Sequence, residues 1–329
     1  VIGHGGGGRL SQELIANLIL PAFANTVLGE LTDAAVLPAP AGRLAFSTDT
    51  YVVRPLFFPG SSIGDLAING TANDLAMVGA RPLQLSVAFV VEEGLPMSTL
   101  AHILARMSAA ARQARVQIVT GDTKVVERGA ADQIFITTAG IGVIPTGIDL
   151  SPRHMRAGDH VLVSGTIGDH GMAVMSVREN LGFDAEIASD CACLYPLTEM
   201  LLAIGGVRVM RDPTRGGVAA SLTELAEAAR LGIVLEEDQL PVNAPVAAAC
   251  EMLGMDPLHV ANEGKFVAIV APEHSDAMLA ALRSHPLGAN ARRIGAVTDA
   301  NPGMLSLRTR FGTQRAIPLP LGEQLPRIC

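Results

Sequence analysis

The chain has 329 residues, more than one hydrophobic core comfortably fills, so two domains are expected. A net charge of -8 argues against a nucleic-acid backbone as main ligand, although backbone N–H groups, a lysine and a metal still let an acidic protein bind a nucleotide. No run approaches the roughly 20 apolar residues of a membrane span, the four cysteines Cys191, Cys193, Cys250 and Cys329 match neither a disulfide framework nor a zinc spacing, and without a signal-peptide pattern the expected location is cytoplasmic.

The start, Gly3-His4-Gly5-Gly6-Gly7-Gly8-Arg9, is too rich in glycine for a helix or strand, and Ser11 is placed to cap a helix after it. Gly3, Gly5 and Gly8 formally spell G-x-G-x-x-G, but no strand precedes them and the Gly-Lys-Ser/Thr ending of a Walker loop is absent. Two readings stand: a loop that wraps around an anion, or a disordered leader. A strand is expected over Leu44 to Asp49 and a helix from Ile63 to Ala80, its apolar positions falling at Ile63, Leu66, Ala67, Leu75 and Val78. A strand at Leu83 to Val91, a helix capped by Ser98 and running to Arg115, and strands at Val116 to Thr120 and Ile134 to Val143 complete a first α/β or α+β sandwich domain, residues 1–148.

Pro152 to Gly158 reads as a linker into a second α/β domain, residues 149–312. Its expected helices lie at Met172 to Leu181, Leu194 to Ile204, Gly217 to Leu231, Ala244 to Leu253 and Glu273 to Ser284. Strands are expected at Val161 to Val163, Val207 to Met210, Ile233 to Leu235, Phe266 to Val270, Arg293 to Val297 and Met304 to Leu307. Residues 313–329 form a tail whose prolines, in Ile317-Pro318-Leu319-Pro320-Leu321-Gly322, favour an extended arm. It ends in Leu325-Pro326-Arg327-Ile328-Cys329, a terminal thiol that is either incidental to a frayed end or a reactive group carried between sites.

Asp49, Asp65, Asp74 and Asp122 stand where strands end or helices pack, with Asn73 adjacent and Lys124 close by. Gathered carboxylates repel and call for a cation, and hard oxygen ligands suit magnesium carrying phosphates. Each aspartate alone also reads as a cap or turn residue. Asp212-Pro213-Thr214-Arg215-Gly216-Gly217 leads from a strand into a helix N-terminus able to receive a phosphate, and Gly165 to Gly171, with Asp169 and His170, is a comparable turn. Glu263, before the apolar strand, reads first as a cap or as the ion-pair partner of Lys265, and also as a base if burial raises its pKa.

With these segments assembled, the chain resembles the HypE family of hydrogenase maturation proteins, within the PurM-like superfamily of aminoimidazole ribonucleotide synthetase and selenophosphate synthetase. The resemblance rests on the glycine-rich start, Ser47-Thr48-Asp49, Gly70-Thr71-Ala72-Asn73-Asp74, Thr120-Gly121-Asp122-Thr123-Lys124, the Gly165 to Gly171 turn, Asp212 to Gly217, Ala261-Asn262-Glu263-Gly264-Lys265 and the Pro326-Arg327-Ile328-Cys329 ending. It implies a two-domain PurM-like fold, a homodimer of first domains with ATP near their interface, and a carbamoyl dehydratase. In that reaction the Cys329 thiol accepts a carbamoyl group from the carbamoyltransferase HypF. ATP-dependent dehydration then turns it into a thiocyanate, and cyanide passes to iron on the HypC–HypD complex. The resemblance also implies Cys329, Glu263 and Lys124 as catalytic residues. Asp49, Asp65, Asn73, Asp74, Asp122, Thr123, Asp212 and Thr214 are then ATP-binding, with Asp49, Asp74 and Asp122 on Mg2+.

Two other readings compete with this one. The first is a kinase or ligase of the same superfamily acting on a free substrate; in the selenophosphate synthetases the reactive Cys or Sec lies near the N-terminal glycine loop, which here has none. The second is a non-enzymatic carrier whose tail only docks on partners.

Overall fold

A computed structural model of the chain describes residues 1–5, 8–32, 34–180, 187–319, 325 and 328–329. Gly6, Gly7, Leu181, Pro320, Leu321, Gly322, Pro326 and Arg327, which carried sequence expectations, lie outside the described residues.

The first domain is a four-stranded sheet in the order Arg43–Tyr51, Ile134–Ile144, Arg81–Glu92, Gln117–Val126. The first three strands are antiparallel neighbours, and the last runs parallel to Arg81–Glu92. Helix Ile63–Met77 starts where expected, with Ser62 accepting from the Asp65 amide as its N-cap. Every one of its residues except Asp74 is buried, because the sheet and helix Met97–Ala114 cover part of it while the second domain packs on Ala76 and Met77. Its high glycine and alanine content serves this all-round contact.

Helix Met97–Ala114 buries Leu100, Ile103, Leu104, Met107 and Ala111, an i, i+3, i+4 stripe. Its N-cap is Pro96, not Ser98, and no side chain caps it. Ser11 likewise does not cap: helix Arg9–Leu14 begins after Gly8, and the Ser11 hydroxyl donates instead to the His4 carbonyl at 2.8 Å. The leader forms a short 3-10 turn over Ile2–Gly5. Strand Gln117–Val126 runs six residues past the expected end at Thr120, so Asp122, Thr123 and Lys124 lie within a strand, opposite Ala88, Phe89 and Val90.

The second domain is a seven-stranded sheet ordered Gln314–Ala316, Leu305–Arg308, Gly232–Glu236, Arg292–Thr298, His160–Val163, Val267–Val270, Val207–Arg211. Both faces are covered. Val161, Val163, Val267 and Ile269 meet helix Gly217–Ala229 on one side, while Leu162, Ala268 and Val270 meet helices Tyr195–Ile204 and Pro272–Arg283 on the other. This double burial is why the strands read as continuous apolar runs. Gln314–Ala316 pairs with Leu305–Arg308, so the first residues of the expected tail belong to this sheet.

A third apolar layer joins the domains. Met172, Ala173, Val246, Ala249, Val260 and Ala261 pack with Tyr51, Val53, Leu56 and Phe58, and the tail residues Leu325 and Ile328 are buried in the same cluster. Their burial seats the chain end between the two domains.

Candidate active site

A cavity of about 160 Å3 brings Asp49, Asp74, Asp212, Thr214 and Glu263 together around Cys329. Asp49 comes from the first strand and Asp74 from the one unburied position of helix Ile63–Met77, where Ser47 Oγ donates to Asp74 Oδ2 at 2.6 Å. Asp212 and Thr214 lie in the turn between strand Val207–Arg211 and helix Gly217–Ala229. Gly216 and Gly217 take φ of 74° and 63° there, a left-handed pair that glycine adopts without a Cβ penalty.

Glu263 is fixed through its backbone. Its amide donates to Asp190 Oδ1 at 2.9 Å and its carbonyl accepts from Asn73 Nδ2 at 3.3 Å. At the next residue, a Cβ on Gly264 would collide with the Asp190 carbonyl, so only glycine allows this approach. Glu263 is 4 % exposed and its Oε1 has no hydrogen-bond partner among the described residues. Lys265 does not pair with Glu263. Its ammonium lies 3.4 Å from Asp190 Oδ2, short of hydrogen-bond alignment, and donates to the Gly264 carbonyl at 3.2 Å.

The carboxylates raise one another's pKa. Burial, then the charges of Asp212, Asp190, Asp49 and Asp74, push Glu263 well above the carboxylate range. Burial, then Asp74, pushes Asp212 up to about 7. Asp74 is raised too, by desolvation first, against the hydrogen bond from Ser47. Such a site favours either bound protons or an incoming cation.

Ile328 and Cys329 are inserted between the domains. The Val52 amide donates to the Cys329 carbonyl oxygen at 3.2 Å, and His170 Nε2 lies 2.8 Å from the Ile328 carbonyl oxygen. No disulfide joins Cys329, Cys191, Cys193 or Cys250. Burial pushes the Cys191 thiol far above the ordinary thiol range and also raises Cys193, which makes both poor nucleophiles.

The other sequence candidates fall elsewhere. Asp122, Thr123 and Lys124 line a second cavity, of about 220 Å3, with His4, Gly5 and the apolar residues Phe23, Val87 and Phe89. Lys124 Nζ lies 3.4 Å from Asp122 Oδ2, both side chains being exposed. This strand is on the opposite sheet edge from Asp49, three strand spacings or roughly 14 Å away. Asp65 is held by Arg106 Nε at 2.8 Å and Ser62 Oγ at 2.6 Å and lines neither cavity. Asn73 is a buried clamp: Oδ1 accepts from the Leu194 amide at 2.8 Å and Nδ2 donates to the Ala192 carbonyl at 3.0 Å. Among the described residues no three His, Cys, Asp or Glu side chains form a ready-made metal site.

Several residues at the site carried no role in the sequence reading. Tyr51, Gly70 and Arg215 line the cavity, and Arg215 also lines an adjoining space of about 480 Å3 with Ser47, Arg211 and Glu224. Arg215 was visible inside the Asp212 to Gly217 motif. Asp190 and Ser189 stand in a segment without a periodic pattern, and no signal marked them.

The family of AIR synthase related proteins matches the chain twice, with its N-terminal domain over residues 31–144 and its C-terminal domain over residues 156–306. A carbamoyl dehydratase HypE of Bradyrhizobium diazoefficiens is 54% identical over 330 residues, covering 100% of this chain and 95% of that protein. A crystal structure of the hydrogenase maturation protein HypE in complex with ATP superposes with a TM-score of 0.96 at 47% identity, covering 100% of this chain and 99% of that one. A HypE–HypF complex superposes at 0.83 and 47% identity, covering 95% of this chain and 100% of that one. On this evidence the chain belongs to the HypE family of carbamoyl dehydratases within the AIR synthase related proteins.

Proposed function

We propose that this chain dehydrates an S-carbamoyl group on its own Cys329 to a thiocyanate, using ATP and releasing ADP and phosphate. The observation that carries the reading is the placement of Cys329 in a cavity with Glu263, a buried carboxyl whose Oε1 has no partner among the described residues. The reaction balances in two steps. The carboxamide oxygen takes the γ-phosphoryl group while one N–H proton leaves. Phosphate then departs with that oxygen as the second N–H proton is removed, leaving S–C≡N. Glu263, within the same cavity as the thiol, is the group that takes a proton from nitrogen. Arg215, Thr214 and the N-terminus of helix Gly217–Ala229 face the phosphate.

Asp49, Asp74 and Asp212 are hard oxygen donors whose mutual repulsion a cation relieves. They fit Mg2+ brought in on the phosphates of ATP rather than an ion held by protein alone. When bound, the ion neutralises charge developing on the phosphoryl group.

The open face of the first sheet supports the homodimer. Leu44 and Phe46 are 59% and 70% exposed, in register with Val143 and Ile141. Packing two such faces about a two-fold axis carries the Asp122 to Lys124 edge of one copy toward the Asp49 edge of the other. In that arrangement Lys124, Asp122 and Thr123 serve the partner's nucleotide. The carbamoyl group comes from HypF, in keeping with the HypE–HypF complex, and the product goes to HypC–HypD. No helix among the described residues is long and apolar enough to cross a membrane, and the reaction belongs to the cytoplasm.

Mass spectrometry of the C-terminal peptide tests the proposal. Incubation with carbamoyl donor, HypF and ATP adds a carbamoyl group to Cys329 and then removes water. A Cys329→Ala protein that still yielded thiocyanate, or wild-type protein that kept the carboxamide despite ATP, would overturn it.

A further inference from the structure

His170 is completely buried at the start of helix Asp169–Arg178, and both its ring nitrogens are engaged. Nε2 lies 2.8 Å from the Ile328 carbonyl oxygen and Nδ1 lies 2.9 Å from Ser189 Oγ. A carbonyl oxygen only accepts, so Nε2 carries the hydrogen. Burial lowers the His170 pKa and favours the neutral ring, so Nδ1 accepts from the Ser189 hydroxyl. That hydroxyl oxygen accepts in turn from the Cys191 amide at 3.2 Å. The chain of donors therefore has one direction, Cys191 N–H to Ser189 O–H to His170 Nε2–H to the Ile328 carbonyl. Phe58 fixes the ring plane with a T-shaped contact at 5.5 Å.

The next residue of the same segment, Asp190, holds the Glu263 amide at 2.9 Å. Adjacent residues thus tie down the last peptide of the tail and the backbone of Glu263, which lines the same cavity as Cys329. We propose that His170 is the positioning residue that recognises the inserted tail, its Nε2–H seating the Ile328 carbonyl so that the Cys329 sulfur is presented to Glu263. The proposal deepens the dehydratase reading and rests on it for its catalytic consequence, but the docking itself does not. Without the donor, the Ile328 carbonyl is buried with that bond unmade, which shifts the tail toward the withdrawn state by roughly tenfold.

Three variants of the full chain separate recognition from packing. His170→Gln puts an amide N–H near the position of Nε2, His170→Asn reaches only the level of Nδ1, and His170→Phe has neither. The first readout is the rate of iodoacetamide alkylation at Cys329, followed on the C-terminal peptide without ATP or carbamoyl donor. The second is the single-turnover dehydration rate of S-carbamoylated protein. We expect the Phe and Asn substitutions to raise alkylation and lower dehydration, each by roughly tenfold, with Gln staying close to wild type in both. Equal alkylation in all four proteins would overturn the proposal, as would Gln behaving like Asn. If the Phe substitution unfolds the protein, the contrast between Gln and Asn still decides. Wild-type protein that failed to dehydrate, with the alkylation pattern intact, would sink the dehydratase reading and leave the latch standing.

Discussion

The backbone amide of Glu263 donates to Asp190 Oδ1 at 2.9 Å, while the Glu263 carboxyl keeps an Oε1 with no partner among the described residues. The backbone is anchored and the side chain is left available, as a proton-transfer group requires. Glu263→Gln keeps shape and removes the titratable group. We expect carboxamide to accumulate on Cys329, with thiocyanate formation slowed by roughly 10²–10⁴-fold and nucleotide binding retained. Single-turnover mass spectrometry and nucleotide titration check this, and an unchanged thiocyanate yield would remove Glu263 from the reaction.

Asp190 and Lys265 form a buried ion pair at 3.4 Å, with side chains 3% and 9% exposed. Asp190→Ala strands the Lys265 ammonium and also releases the Glu263 amide. The expected loss is about 3–5 kcal/mol of unfolding free energy, read from urea denaturation. Lys265→Met in the same background should recover part of it by removing the orphaned charge.

Asn73 bridges the two domains by bonding Ala192, Leu194 and Glu263 backbone groups. Asn73→Ala leaves these buried groups unpaired, at a cost of about 1–3 kcal/mol for each one that water does not reach. A stability loss with unchanged nucleotide affinity is expected. Weaker ATP binding at unchanged stability would instead place the Asn73 amide on the nucleotide.

Asp212 holds its proton more tightly in the folded chain, at about 7 against an ordinary 3.8. The folded state therefore binds more protons than the unfolded one. This contribution to stability is fully present below the unfolded pKa and is lost as pH rises through the folded pKa. Nucleotide-free protein should lose stability from Asp212 between pH 3.8 and about 7, and Asp212→Asn should flatten that part of the profile. Differential scanning fluorimetry of the two proteins across the window tests the sign.

Phe46 stands 70% exposed beside Ile141 on the uncovered sheet face. Phe46→Glu should shift the chain toward monomer in light scattering and weaken ATP turnover with it. A dimer that persisted, with full activity, would move the nucleotide site away from that face.

Much of the layout was legible because periodicity records burial. Helix Ala244–Leu253 falls at its expected bounds because it buries one face, Val246, Ala249 and Cys250, whereas helix Ile63–Met77 and the run Val267–Val270, buried on nearly every side, read instead from their apolar content and length. Ser98 and Ser11 misled, because a hydroxyl near a helix start caps only if its backbone is outside the first turn, and the pattern cannot tell. Strand Gln117–Val126 runs past the expected end at Thr120 and through Gly121, a residue that weakens strands in general but here packs against the Val87 backbone.

The sequence alone determined the two-domain architecture, the acidic and glycine motifs and the terminal thiol, because those are properties of residue type and spacing. Only the tertiary structure decided which of them meet. Asp74, Asp212, Glu263 and Cys329 share one cavity while Asp122 and Lys124 occupy another, and that division depends on sheet order. Likewise, Asp190, Ser189 and His170 acquire their roles from contacts spanning up to 158 residues of chain, which local spacing cannot encode. The inserted position of Cys329 follows from the burial of Leu325 and Ile328 between the domains, an apolar contact that exists only once both domains have folded.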